Sequence, residues 1–156
     1  MTITLICDTR EQTPLQFCGF RGIESVRSGL KTGDYSIQGY EDQITFERKS
    51  VQDLVGTLCQ GRDRFERELE RMRPFEEKYI LIEHSPSILF SYCMKHGWVK
   101  KFDMIIQSLH SFQHRYGVQV RFCKDREYMA EYIVKKAREF INANIPKDSG
   151  RAEVLE

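Results

Sequence analysis

No stretch of this sequence stays apolar over the roughly 20 residues that a membrane-spanning helix needs, so there is no reason to expect a membrane partner. The first residues, Met1-Thr2-Ile3-Thr4-Leu5-Ile6-Cys7, lack the basic start and small-residue cleavage site of a signal peptide and read instead as a strand. Cysteine is sparse and odd in number: Cys7, Cys18, Cys59, Cys93 and Cys123 are scattered, and no two form a C-x-x-C. That argues against a disulfide framework and for reduced thiols in an intracellular compartment, cytoplasmic or nucleoid-associated, or nuclear in a eukaryotic host. Excess charge is missing too. The formal net charge is +1, so any basic surface for a polyanion must be made by local segregation. Internal repeats and low-complexity segments are absent.

What is present fits one folded domain. The 156 residues are 40% hydrophobic and 30% charged, enough to bury a core without staples. We assign residues 1–146 to a single domain and 147–156 to a polar tail. Residues 2–7 alternate and are β-branched, which predicts a strand ending at Asp8. Residues 9–16 form a loop, 23–27 a short strand and 34–38 another. Residues 44–49 (ITFERK) form a fourth strand. Ser50 is a good N-cap, with Asp53 three residues on and an apolar stripe at Val51, Leu54, Val55 and Leu58. A second helix is expected over 63–73 and a central strand over 79–83. A short helix is expected around Ile88-Leu89-Phe90, and a long one over 100–116 closed by Gly117. A strand at 118–122 and a helix opened by Asp125 complete the order, with Pro146 beyond that helix. The order predicts an α/β fold in three layers: a central mixed β-sheet flanked by helices on both faces.

The chemistry concentrates on residues 33–58. Side chains alternate along a strand, so Thr45, Glu47 and Lys49 share one face while Phe46 and Arg48 take the other. Carboxylates are depleted in strands and costly to bury unpaired, so Glu47 asks for an explanation. One is a Mg²⁺ or Mn²⁺ site built from Asp8, Asp34 and Glu47, with Lys49 beside the water or phosphate. The other is an edge strand whose charges face solvent. The residue pattern leaves both open.

Read together, Asp8-Thr9-Arg10-Glu11, Gly33-Asp34-Tyr35 and Glu47-Arg48-Lys49-Ser50-Val51-Gln52-Asp53 resemble the D-x-R-E, G-D and E-R-K-x-x-x-D signature of the XPF-type structure-selective endonucleases. Gly61-Arg62-Asp63-Arg64-Phe65 is similar to that family's G-R loop. The resemblance implies a restriction-endonuclease-like fold and hydrolysis of DNA phosphodiesters with Mg²⁺, or Mn²⁺ as substitute, at flaps, forks or other branched structures. It implies Asp8, Asp34 and Glu47 as metal ligands, Lys49 as the catalytic lysine, Glu11 in a supporting role, and Arg48 as part of the signature. We expect Arg48 to bond a carboxylate on the opposite face of the sheet, with Asp53 as the candidate. The resemblance also implies a homodimer or heterodimer formed through the nuclease domain. Many members carry helix-hairpin-helix modules after that domain. None follows Pro146 in this sequence, so the expectation is that a partner supplies DNA grip or that the nuclease domain works alone.

Arg10, Arg62, Arg64, Lys100 and Lys101 are the candidate DNA contacts. Arg67 onward reads as a solvated face interleaved with Glu66, Glu68 and Glu70, Glu68 lying at i,i+4 from Arg64. Trp98 among Lys95, His96, Lys100 and Lys101 can stack on a single strand or lie partly in the core. His110 and His114 stand at i,i+4 but lack further zinc ligands nearby. Tyr128, Tyr132, Phe140 and Ile141, with Phe102 and Phe112, are core residues or in part a dimer patch. Two further functions stay open: a non-catalytic DNA-binding or scaffold subunit, and a nuclease acting on plain duplex or nicked DNA in phage or mobile-element processing. A scaffold subunit would typically have lost the carboxylates or the lysine that this sequence keeps.

Overall fold

The β-branched segments pair into one six-stranded sheet, and the amphipathic segments cover its two faces. A computed structural model describes residues 1–145; Pro146 and the tail assigned from sequence lie outside the described residues. The strands are β1 (Ile3–Cys7), β2 (Ile23–Arg27), β3 (Tyr35–Ile37), β4 (Ile44–Lys49), β5 (Glu77–Glu83) and β6 (Gln119–Cys123). The helices are α1 (Val51–Cys59), α2 (Arg62–Met72), α3 (Pro86–Lys95), α4 (Val99–Tyr116) and α5 (Arg126–Asn144). The sheet order is β2-β1-β3-β4-β5-β6. Only β3 runs against its neighbours; β1 pairs β2, β4 pairs β5 and β5 pairs β6 in parallel. This is the mixed-sheet, three-layer α/β fold expected from the order of elements.

Each face of the sheet has its own core. Phe46, Tyr79 and Leu81 meet Met129, Ile133, Ala137 and Phe140 of α5, and Phe46 stacks on Tyr79 at 4.8 Å. On the other face, Ile80 and Ile82 pack under α1, α2, α3 and α4. The apolar stripes of α4 and α5 therefore lie on opposite sides of the sheet. Phe102 and Phe112 are not beside Tyr128, Tyr132, Phe140 and Ile141, and the six do not make one patch.

Two sequence signals act as read. The Ser50 side chain accepts from the Asp53 amide at 3.0 Å, and Gly117 takes a left-handed φ of 71° at the end of α4. Others shift. The helix expected at Ile88–Phe90 runs from Pro86 to Lys95, because Pro fits the first helical position and Leu89 and Cys93 bury one face. β5 starts two residues early, at Glu77, where parallel pairing with Ile44 extends the ladder. β3 starts at Tyr35 rather than Asp34, for a reason that also builds the site.

Candidate active site

The chain enters β3 through Gly33 at φ 79°, a left-handed conformation that glycine adopts without a Cβ penalty. A Cβ there would land on the Thr45 hydroxyl oxygen of β4 and 3.2 Å from the Phe46 carbonyl. The turn leaves Asp34 as a bridge between strands. Its amide donates to the Phe46 carbonyl at 2.8 Å, and its carbonyl accepts from the Asp8 amide at 2.8 Å. Its side-chain Oδ2 accepts from the Arg48 amide at 2.8 Å. Asp34 is thereby fixed at the end of the sheet where β1 and β4 finish.

Glu47 projects from β4 toward the layer of α1 to α4 and is 5% exposed. Lys49 Nζ lies 3.5 Å from its Oε1, while its Oε2 is buried with no hydrogen-bond partner. Lys49 also sits 5.0 Å above the Phe65 ring of α2, which limits where the ammonium can go. Burial pushes the Glu47 carboxyl well above its ordinary range, with Asp34 and Glu68 adding to the rise and Lys49 opposing it. Burial, then the nearby Glu11 and Glu68, pushes Asp34 up to about 6, against the pull of the Arg48 amide and Lys49. A half-desolvated acidic cluster with one orphaned oxygen is short of positive charge. Its donor set is oxygen, which suits a hard divalent cation. Among the described residues, no three acidic, histidine or cysteine side chains close into a ready coordination shell. His110 and His114 are both exposed.

Asp8 and Glu11 reach the same end of the sheet but are engaged with protein. Asp8 is 1% exposed; its Oδ1 accepts from the Leu30 amide at 2.9 Å and its Oδ2 from Arg10 Nε at 2.7 Å. Those donors, with Arg10 itself, hold its carboxyl below the usual range despite burial. Arg10 also donates to the Leu30 carbonyl at 3.1 Å, so the pair latches the loop before Gly33.

Arg48 does bond carboxylates on the opposite face, but they are Glu11 at 2.9 Å and Glu83 at 3.0 Å, not Asp53. Asp53 is exposed in the first turn of α1 and lines the same open pocket as Arg48, Glu11 and Glu83, but it makes no ion pair with Arg48. Tyr35 OH donates to Glu11 at 2.9 Å, and Arg126 of α5 joins Glu83 at 3.3 Å. Glu83 and Arg126 had no motif to mark them; only the parallel register of β5 and the return of α5 bring them to Arg48.

Beside Lys49 an open cleft of about 470 Å³ is lined by Gly56, Thr57, Gln60, Gly61, Arg64, Phe65 and Glu68. Arg64 faces this cleft. Arg62 turns the other way: it donates to the Ser108 hydroxyl at 2.8 Å, pairs with Glu66 at 3.5 Å and lies 5.4 Å from the Phe112 ring. Lys100 and Lys101 open α4 and do not line the cleft; Lys101 lies 4.0 Å over Trp98, which stacks on His96 and packs partly on the core. Glu68 escaped the sequence reading because its place in an alternating Glu/Arg helix resembles a solvated face. The available signal was Phe65: three residues apart on a helix, the two share a side.

The ERCC4 domain family model matches residues 7–136, from the end of β1 into α5. The chain belongs to the ERCC4 domain family. Its fold is that of XPF from Aeropyrum pernix, with a TM-score of 0.74 and 20% identity over 98% of this chain and 69% of that one. XPF from Aeropyrum pernix in complex with DNA matches at a TM-score of 0.71 and 20% identity, over 94% of this chain and 68% of that one. A comparison with curated proteins returns no match. ERCC4 domains belong to a DNA endonuclease family. No helix among the described residues is long and apolar enough to cross a membrane.

Proposed function

We propose that this ERCC4 domain is a divalent-metal-dependent endonuclease that hydrolyses DNA phosphodiesters at flaps, forks or other branched structures. What supports the reading is Glu47: a nearly fully buried carboxylate with an orphaned oxygen, placed between Asp34 and Lys49. Such a group is expensive to keep unless it serves a cation. Asp34 and Glu47 would hold Mg²⁺, or Mn²⁺ in its stead. A cation bound there supplies Lewis-acid polarisation of a phosphate and a more acidic water. Lys49, fixed against Phe65, orients the attacking water and offsets negative charge gathering on the phosphate. Arg64 takes a backbone phosphate across the cleft. Asp8 and Arg10 hold the loop before Gly33, and Glu11 with Arg48 holds β4 from behind, so both act by positioning.

The DNA in the Aeropyrum pernix complex and the family's nuclease activity support DNA as the substrate here. Pairing with a second subunit through the nuclease domain would complete the grip on a junction. The test is a panel of linear, nicked, flapped, forked and four-way DNA with Mg²⁺, Mn²⁺ or Ca²⁺. Cutting is expected on flaps and forks with Mg²⁺ or Mn²⁺ and not with Ca²⁺, and Asp34→Asn or Lys49→Ala should abolish it in folded protein. Undiminished cutting by either variant would overturn the assignment. Equal cutting of plain or nicked duplex would move the substrate to phage-type DNA processing.

A further inference from the structure

Glu68 lies outside every motif that marks the site, yet the fold brings it there. α2 buries Phe65, Leu69 and Met72 against the sheet. Glu68, one turn beyond Phe65, is therefore carried on the flank of the buried stripe rather than on the outer face. Its surroundings differ from those of the other acids on α2. Asp63 and Glu70 are exposed, and Glu70 pairs with Arg73 at 2.8 Å. Glu66 is bonded by Arg62, Arg115 and the Tyr116 hydroxyl. Glu68 is half-buried, lines the cleft with Lys49 and Arg64, and reaches no basic side chain among the described residues; its carboxyl lies within hydrogen-bonding reach of that of Glu47. Across from it is Glu47, whose Oε2 is buried without a partner.

We infer that Glu68 is the third carboxylate of the cation centre, supplied by α2 to face Asp34 and Glu47 across the cleft. The inference rests on the metal-dependent reading above and adds a ligand contributed from outside the sheet. The physical argument is one of charge. Among the described residues Asp34, Glu47 and Glu68 do not close into a ready shell, but Asp34 and Glu68 are near enough to Glu47 to repel it, and one ammonium, Lys49, stands beside it. A hard divalent cation takes oxygen donors and is commonly held by a few carboxylates with water completing the shell. The unanswered oxygen of Glu47 and the carboxylate of Glu68 beside it then find the same partner. A ligand on a helix rather than on the sheet also ties α2, and with it Arg64, to the occupancy of the centre.

The test compares wild type with Glu68→Gln, Glu68→Asp, Glu70→Gln and Asp34→Asn. Mn²⁺ is titrated without DNA by electron paramagnetic resonance, and melting is followed in EDTA and in Mn²⁺. Glu68→Gln should weaken Mn²⁺ binding by about tenfold or more, shrink the Mn²⁺-induced rise in Tm, and melt above wild type in EDTA because one repelling charge is gone. Glu68→Asp should keep part of the binding, and Glu70→Gln should behave as wild type. Mn²⁺ affinity of Glu68→Gln within about twofold of wild type, with Asp34→Asn defective, would sink this inference and leave the metal reading intact. Equal losses in Glu68→Gln and Glu70→Gln would reduce Glu68 to a distant charge and likewise overturn it. Wild type that takes up no Mn²⁺ would remove the metal reading and this inference with it.

Discussion

Replacing Asp34 with asparagine should make the metal-free protein more stable, although it should end cleavage. Burial and the neighbouring acids raise the Asp34 carboxyl from 3.8 to about 6. An unfolded chain releases this proton near 3.8, whereas the folded protein keeps it until about 6. Between those values the folded state binds more protons, so stability falls as pH rises, and above the upper value the full penalty applies. At 1.36 kcal/mol per tenfold change, the gap corresponds to about 3 kcal/mol at neutral pH. Asparagine keeps an acceptor for the Arg48 amide, so that hydrogen bond survives while the charge goes. For a chain of this size the gain is about 6–12 °C in Tm. The assay is thermal or urea unfolding in EDTA at pH 7.5 and at pH 4. Asp34→Asn should be the more stable protein at pH 7.5, and the two should converge at pH 4, where wild-type Asp34 is protonated in the folded protein. With Mg²⁺ at 100 times its Kd, wild type should recover about 2.7 kcal/mol and the variant little. An Asp34→Asn protein no more stable than wild type in EDTA at pH 7.5 would refute the claim that the site stores charge repulsion for a cation.

Three further outcomes follow from other parts of the structure. Arg48→Ala removes the cation shared by Glu11 and Glu83 and leaves them only the Tyr35 hydroxyl and Arg126, so urea unfolding should show a loss of about 2–3 kcal/mol; a loss below about 1 kcal/mol would mean the network is loosely held. Gly33→Ala must place a Cβ on Thr45 at a left-handed φ, so it should cost at least about 1–3 kcal/mol and displace Asp34; urea unfolding and Mn²⁺ binding check both parts. Arg64→Ala should weaken DNA binding and lower the salt slope by about one, while Arg62→Ala should leave that slope alone and reduce stability, since Arg62 is engaged with Ser108 and Glu66. Fluorescence anisotropy across a salt series separates the two arginines.

His84 adds a point about strain beside the site. It is the one non-glycine residue among the described residues with a positive φ, at 82°, directly after Glu83 where β5 ends. Its amide donates to the Cys123 carbonyl at 2.6 Å, which fixes the turn into α3. A left-handed conformation costs a residue with a Cβ about 1–2 kcal/mol, and histidine is among the side chains seen there more often than most. The turn is thus set by the pairing of β5 with β6 and tolerated by the residue.

Local pattern alone determined a good deal. Alternation, helical spacing, caps and the order of strands and helices specify a mixed sheet between helical layers, because each depends on residues a few positions apart. Alternation on β4 likewise put Glu47 and Lys49 on one face and Arg48 on the other, and the ordered motifs marked Asp8, Gly33, Asp34 and Glu47. Tertiary structure decided the rest. Asp53 lies only five residues from Arg48, yet the carboxylates that bond Arg48 come from Glu11 and Glu83, 37 and 35 residues away. Arg62 and Arg64 look equivalent in the chain, but one packs on α4 and the other faces the cleft, since two residues on a helix are about 200° apart. Asp8 and Glu47 look alike as acids on strands, but Asp8 has both oxygens answered and Glu47 has one orphaned. Glu68 looks like surface charge until α2 is laid against β4. Sequence carries the chemistry that neighbours along the chain can express; which charges end up unanswered is settled only when distant segments meet.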